Sequence, residues 1–350
     1  MRKNDMSDKT YPMAFVTAPG VIEFLPQERL PLAPREVRLA VRAAAICGSD
    51  LHIFKGKHPS APLPVSVGHE LAGEVVETGS AVTKVKSGDR VTVEPVIACG
   101  TCDPCLRGRY HLCRNVSFQY RRGQGAFTPF FTAHEDRVFR LPEGLSYEEG
   151  ALVEPLSVAL HAVQKSGVRL GNTSAVFGAG AIGLLVTMLL RQASGGRTFI
   201  VDIHDFRLQK GLELGACRAI HNRREDALEA ILAATGGAGV DFTFEAVGME
   251  LTLAQALQSL RKGGTATLLG IFEESPVAVP VNLFVQKEIA LLGSQGYNWD
   301  FQDALTLLER GALDLKPLIT HRIGLGDLQS GFETLLNPAA RAVKAVVVMG

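Results

Sequence analysis

The stretch that most limits what this chain can fold into is Gly178-Ala179-Gly180-Ala181-Ile182-Gly183. It follows the apolar run Ser174-Ala175-Val176-Phe177 and opens the apolar, helix-forming residues 184–191. A glycine-rich turn between strand and helix sets the free N–H groups and positive end of the helix where a pyrophosphate can sit. Gly178 then permits the tight turn, Gly180 lets the backbone approach the phosphates, and Gly183 lets helix and strand pack closely. Ile182 lies in the same turn as a further cofactor-binding candidate. Asp202 ends the next β-rich run, Thr198-Phe199-Ile200-Val201-Asp202. A carboxylate there accepts from the ribose hydroxyls and repels a 2′-phosphate, so NAD is expected over NADP. Arg207 suits either stacking on adenine or a solvated helix position. Strand and helix patterns alternate on to about residue 292, which predicts a parallel sheet covered by helices on both faces.

The first 150 or so residues read differently. Short alternating runs broken by prolines and glycines, such as Val37-Arg38-Leu39-Ala40-Val41 and Gly73-Glu74-Val75-Val76-Glu77, predict a mostly antiparallel β domain with one buried face per strand. The tail has a helical pattern at 301–310. It closes on a β-branched run, 342–348, expected to pair back into the first domain. At 350 residues, two domains are expected. Lys plus Arg (36) balance Asp plus Glu (36), so no net charge draws the chain to nucleic acid. The adjacent Arg121-Arg122 reads as a solvated turn. No apolar run approaches the roughly 18 residues of a membrane helix. Residues 1–11 are polar, without the apolar stretch of a signal peptide, and are expected to form a short leader.

Four of the six cysteines, Cys99, Cys102, Cys105 and Cys113, fall within fifteen positions. Four thiolates this close suit tetrahedral structural zinc, with every position filled and none left for chemistry. An iron–sulfur cluster would have a shorter last gap and a following proline, where this chain has Arg114. Tight clustering without a signal peptide points to a metal in a reducing compartment, the cytoplasm, and not to disulfides. Cys217 is expected to be inert.

A second constellation runs through Cys47-Gly48-Ser49-Asp50-Leu51-His52 and Gly68-His69-Glu70. It supplies thiolate, imidazole and carboxylate, the donors of a catalytic zinc that keeps one position open. Taken singly, Cys47 also reads as a small buried apolar residue and His69 as a structural one.

Together these residues resemble the zinc-containing medium-chain dehydrogenases. Gly68-His69-Glu70-x₂-Gly73-x₅-Gly79-x₂-Val82 fits that family's zinc signature, and Glu154-Pro155-Leu156-Ser157 fits its sorbitol (polyol) dehydrogenase-like branch. The resemblance implies a GroES-like catalytic domain over 1–155 and 297–350 and a Rossmann doubly wound domain over 156–296. It implies a catalytic zinc held by Cys47, His69 and one or both of Glu70 and Glu154, with Glu154 also counted among the catalytic residues. It implies oxidation of a secondary alcohol, a polyol or vicinal diol, to a ketone. Hydride passes to NAD, and the proton leaves through Ser49 and His52. Phe118 would line the substrate pocket, and the protein would be a homodimer or homotetramer, with an edge strand near 289–293 as the contact.

Substrate choice is less constrained. Ile53 and Gly296 stand where the polyol enzymes are expected to carry Tyr and Arg. That leaves room for smaller diols, for an amino-alcohol as in threonine 3-dehydrogenases, or for a sugar acid. Two rivals remain: a zinc-stabilised binding protein without turnover, and a zinc-free reductase of the quinone reductase kind.

Overall fold

The computed structural model describes residues 10–274 and 276–349. The leader expected at 1–11 falls almost wholly outside them. The chain divides into two units: one runs to Glu154 and resumes at Phe301, and the other spans Pro155–Asp300.

The first unit is built on a seven-stranded sheet. Its strands include β1 (Glu36–Ala45), β2 (Glu70–Thr78), β3 (Arg90–Val93), β4 (Phe130–His134) and β5 (Val138–Arg140), with the C-terminal strands Ile319–Gly324 and Lys344–Val348. Every pairing is antiparallel except that between the two C-terminal strands. β1 is central, flanked by β2 on one side and by β4 and Lys344–Val348 on the other. It is covered on both faces, not the one its alternation predicts. Arg38 is therefore buried, and its guanidinium is taken up by Glu77 and the Leu30 carbonyl. Val37, Leu39, Val41, Phe127, Phe131 and Val347 anchor the core of this unit.

Register does the positioning. Ala45 lies opposite Glu70 of β2 and opposite Val346 of the C-terminal strand. The end of β1, the start of β2 and the last strand thus meet side by side at one end of β1. β1 feeds directly into helix α1 (Gly48–Phe54). The strand stops at Ala45, and Cys47 is the N-cap of α1. The cysteine-rich segment is a loop between two short paired strands, Val96–Ile97 and Ser117–Phe118.

The second unit is a six-stranded, all-parallel sheet: β6 (Ser174–Phe177), β7 (Thr198–Asp202), β8 (Arg218–His221), β9 (Val240–Glu245), β10 (Leu260–Leu268) and β11 (Ala290–Gly293). The spatial order is β8-β7-β6-β9-β10-β11. The order reverses between β6 and β9, and ligands of such sheets bind outside the carboxyl ends of the strands at that point. Helix α2 (Ala181–Ala193) starts there, with Gly180 as its N-cap.

Candidate metal centre and cofactor site

Cys47, His69 and Glu70 come together in the first unit, each with a donor atom within 4.8 Å of the others. Local chemistry sets each one. Asp50, third residue of α1 and fully buried, accepts the Cys47 N–H (3.0 Å) and the Gly68 N–H (3.0 Å). One carboxylate thus ties the two ligand-bearing segments together. Gly68 has φ +90°, and a side chain there would meet the Phe127 ring at 2.9 Å, so the turn that presents His69 and Glu70 needs glycine. His69 turns Nδ1 toward Asp50, 3.6 Å from Oδ1, without a hydrogen bond to it. Its ring packs on Tyr120 and Phe118, centroids 5.5 and 6.1 Å away.

Glu70 is divided between two partners. Its Oε1 accepts from Lys344 Nζ at 2.6 Å, and both side chains are buried. Lys344 also donates to the Ile46 carbonyl at 3.0 Å. The other oxygen, Oε2, is buried with no hydrogen-bond partner. A buried carboxylate oxygen left bare is costly, and a cation held with Cys47 and His69 would satisfy it. The protonation balance points the same way. Burial works against a charged His69, yet the Asp50 carboxylate and the Cys47 thiol beside it hold its pKa well above the imidazole range. Burial likewise opposes charge on Lys344, but Glu70, Cys47 and Glu154 hold its pKa up. This cluster of acceptors attracts positive charge, and its sulfur, nitrogen and oxygen donors suit zinc.

Glu154 is buried close enough to Lys344 to act on its charge, but it is not one of the three converging donors. Ser49 and His52 are three residues apart on α1, hence on one helix face, and both are partly exposed. Ile53, at the position expected to carry a tyrosine, is fully buried in the core of this unit.

In the cysteine lobe Cys102 lies 3.5 Å from Cys105 and 3.9 Å from Cys113, and Cys99 lies 4.0 Å from Cys105, sulfur to sulfur. A tetrahedron with metal–sulfur bonds of about 2.3 Å has edges of roughly 3.8 Å. No disulfide forms. Backbone N–H groups of Cys99, Cys102 and Asn115 point at the sulfurs. The Thr101 amide and hydroxyl, with the Cys102 amide, pull the Cys99 thiol down to about 5, which suits a thiolate ligand.

The second unit carries a cavity of about 420 Å³ lined by Gly178, Gly180, Asp202, Arg207, Asn222 and Val247, among others. Ile182 and Gly183 do not line it. Gly183 serves packing, as its place in the fingerprint predicts: a Cβ there would sit 1.8 Å from the Gly178 carbonyl oxygen. At Gly180 a Cβ would meet nothing within 4 Å, so the space beside it is open to a ligand. Asp202 accepts the Ala179 N–H through Oδ2 (2.7 Å) and the Ile203 and His204 N–H groups through Oδ1 (2.7 and 3.0 Å). It braces the glycine loop while facing the cavity, and its remaining lone pairs can take a ribose hydroxyl. A dinucleotide fits this cradle.

Sequence reasoning missed Asp50 and Lys344. Asp50 carried a signal as the third residue of a helix opening at Cys47. Lys344 carried one as a lone charge at the head of a β-branched run.

Two family models match: the alcohol dehydrogenase GroES-like domain over residues 33–143 and the zinc-binding dehydrogenase domain over 181–310. The chain belongs to the zinc-binding dehydrogenases. This dehydrogenase is 35% identical over 316 residues to sorbitol dehydrogenase of Bacillus subtilis (strain 168), covering 89% of the chain and 90% of that protein. It is 38% identical over 327 residues to (R,R)-butanediol dehydrogenase of the same organism, covering 90% and 92%. A zinc-binding dehydrogenase from Sinorhizobium meliloti 1021, solved bound to NADP, matches with a TM-score of 0.91 at 31% identity, covering 98% of this chain and 100% of that one. The dehydrogenase is thus a zinc-dependent, NAD(P)-linked oxidoreductase of secondary alcohols, in the sorbitol dehydrogenase-like branch. It has the expected GroES-like β domain and parallel Rossmann sheet.

Proposed function

We propose that the dehydrogenase oxidises a polyol or vicinal diol to a ketone with NAD as hydride acceptor. The catalytic metal would be held by Cys47, His69 and Glu70, and the structural one by Cys99, Cys102, Cys105 and Cys113. The observation that carries this is the divided Glu70, one oxygen on Lys344 and the other bare beside Cys47 and His69. When bound, zinc makes a coordinated hydroxyl far more acidic, as it lowers the pKa of bound water from 15.7 to about 7, and NAD takes the hydride. The chain's own residues supply the rest. Asp50 orients His69, Phe118 walls the substrate side, and Glu154 supplies a further carboxylate beside Lys344. Ser49 passes the alcohol proton toward His52, an imidazole that can take up a proton and hand it to water. The β unit is the catalytic domain on this reading, and the parallel-sheet unit binds the dinucleotide. The Asp202 carboxylate in the cavity supports NAD over NADP.

The test is NADH absorbance with sorbitol and 2,3-butanediol, alongside zinc content per chain. Two zincs and NAD-dependent turnover are expected, with one zinc and no turnover after Cys47→Ser. Unchanged turnover in that variant would overturn the assignment.

Strand β11 is an edge, paired on one side only, with Ala290 and Gly293 exposed. Val281 and Val285 nearby are 68% and 84% exposed. An open edge beside apolar surface supports a homodimer formed by strand addition, which light scattering on Leu292→Pro would test by its monomeric mass. Reduced, clustered thiols support a cytoplasmic setting. Among the described residues no helix is long and apolar enough to cross a membrane.

A further inference from the structure

Glu245 ends β9, the strand beside β6 at which the sheet order reverses. It lies opposite Phe177, the residue before the glycine turn. A carboxylate at the end of an apolar strand ordinarily reaches water or a cation, because a buried unpaired charge is costly. This one is fully buried, and among the described residues no cation pairs with it.

One of its oxygens takes three donors. Oε1 accepts the Val247 N–H (3.0 Å), the Gly248 N–H (2.9 Å) and the Thr252 hydroxyl (2.7 Å). Thr252 lies in the first turn of helix α3 (Glu250–Gln258). Oε2 is buried without a partner, and a Cβ on Gly270 would sit 2.6 Å from it. The main-chain carbonyl of Glu245 accepts the Leu269 and Gly270 N–H groups at 2.8 and 3.0 Å. One residue thus ties the turn after β9 both to α3 and to the turn after β10.

The turn so held is a wall of the dinucleotide cavity, which Ala246, Val247, Met249 and Thr252 line. It is wedged between two other turns. A Cβ on Gly178 would sit 2.8 Å from the Val247 side chain and 3.1 Å from the Ala246 carbonyl oxygen. On the far side, a Cβ on Gly248 would sit 2.2 Å from the Ile271 carbonyl oxygen, and one on Gly270 2.4 Å from the Gly248 nitrogen. The Gly178 turn therefore rests directly on 246–247, with no slack between them. Binding groups need placement within about 0.5 Å, kept by supporting hydrogen bonds. Burial is the largest influence on the Glu245 pKa and raises it, opposed by the hydrogen bonds it accepts. What the turn uses is thus the acceptor oxygen and its reach, and an amide of the same shape supplies both.

We propose that Glu245 is a positioning residue for the dinucleotide: through Oε1 it fixes the turn 246–248 on which the Gly178 turn rests, and so sets cofactor affinity without touching the cofactor. This rests on the reading of the Gly178 cavity as the dinucleotide cradle.

The experiment is a fluorescence titration with NADH, on the zinc-loaded enzyme and its Glu245→Asp, Glu245→Gln and Thr252→Val variants, well below their melting midpoints. Glu245→Asp keeps the carboxyl but draws it back from its three donors, and should weaken NADH at least tenfold. Glu245→Gln keeps the reach and should stay within threefold of native. Thr252→Val removes one donor and should weaken NADH at least threefold, a test that stands if the aspartate variant does not fold. In turnover of 2,3-butanediol the loss in Glu245→Asp should fall on KM for NAD, with kcat at saturating NAD within threefold. Thermal melts with and without NADH separate this from a role in the fold alone. A Glu245→Asp protein that melts earlier yet binds NADH as the native one does overturns the proposal. So does a glutamine variant that loses as much as the aspartate one, or unchanged affinity in Thr252→Val. Native enzyme that binds no NADH would instead overturn the cradle reading, and the proposal with it.

Discussion

Lys344→Met would separate the two partners of Glu70. Lys344 and Glu70 are 3% and 0% exposed at the side chain, with 2.6 Å between Nζ and Oε1. Methionine keeps the unbranched shape and removes the charge, which leaves Glu70 buried and uncompensated. Breaking a buried pair on one side costs about 3–5 kcal/mol. For a unit of this size that is roughly 6–20 °C in midpoint. The loss should be largest in zinc-free protein. With zinc on Oε2, a second positive charge already faces the carboxylate, so the zinc-loaded variant should lose less. By the thermodynamic cycle zinc must then bind Lys344→Met more tightly than the native protein, tenfold for each ~1.4 kcal/mol of difference. The assay is denaturant unfolding of both proteins with and without zinc, plus a chelator competition for affinity. Lys344→Met combined with Glu70→Gln should recover most of the zinc-free stability, because no lone charge then remains buried. A zinc-free cost below about 1 kcal/mol, the range of exposed pairs, would refute the claim that Lys344 neutralises Glu70. So would equal costs with and without zinc, or additivity in the double variant.

Other expectations follow from single contacts. Gly180→Ala should fold with an unchanged midpoint and lose at least tenfold in NADH affinity, because its Cβ meets open space. Gly183→Ala should unfold earlier as well, because its Cβ would sit 1.8 Å from the Gly178 carbonyl; fluorescence titration and thermal melts tell them apart. Asp50→Asn cannot accept both the Cys47 and Gly68 N–H groups without turning its own NH₂ toward one of them. Turnover and zinc affinity should fall roughly 10–100-fold, as for other groups that orient metal ligands, and unchanged zinc affinity would count against its orienting role. Glu135 accepts the Thr83 and Lys84 N–H groups and the Arg35 guanidinium, which draw its pKa from 4.5 down to about 2. A depressed carboxylate pKa contributes stability that is present above the unfolded value and lost as pH falls toward the folded one. Native protein should therefore lose stability between about pH 4.5 and 2, and Glu135→Gln should show a shallower loss across that window in acid-titrated melts.

The sequence by itself determined the features whose parts lie close along the chain. The glycine turn after Phe177, the four cysteines between two short strands, and the Cys47 and His69-Glu70 donors are local patterns. Their chemistry depends on loop geometry within a few residues, and spacing encodes that. Burial on both faces of β1 was not legible, because alternation reports one strand and not what covers it. The role of Ile182 was also blurred, since a fingerprint does not separate packing from ligand contact. Only the tertiary structure decided how Glu70 is held. Lys344 is 274 positions away and reaches it because the register of three strands brings their ends together. Pairings between distant segments arise from the sum of many weak packing preferences along each strand. No residue pattern at either end records that sum.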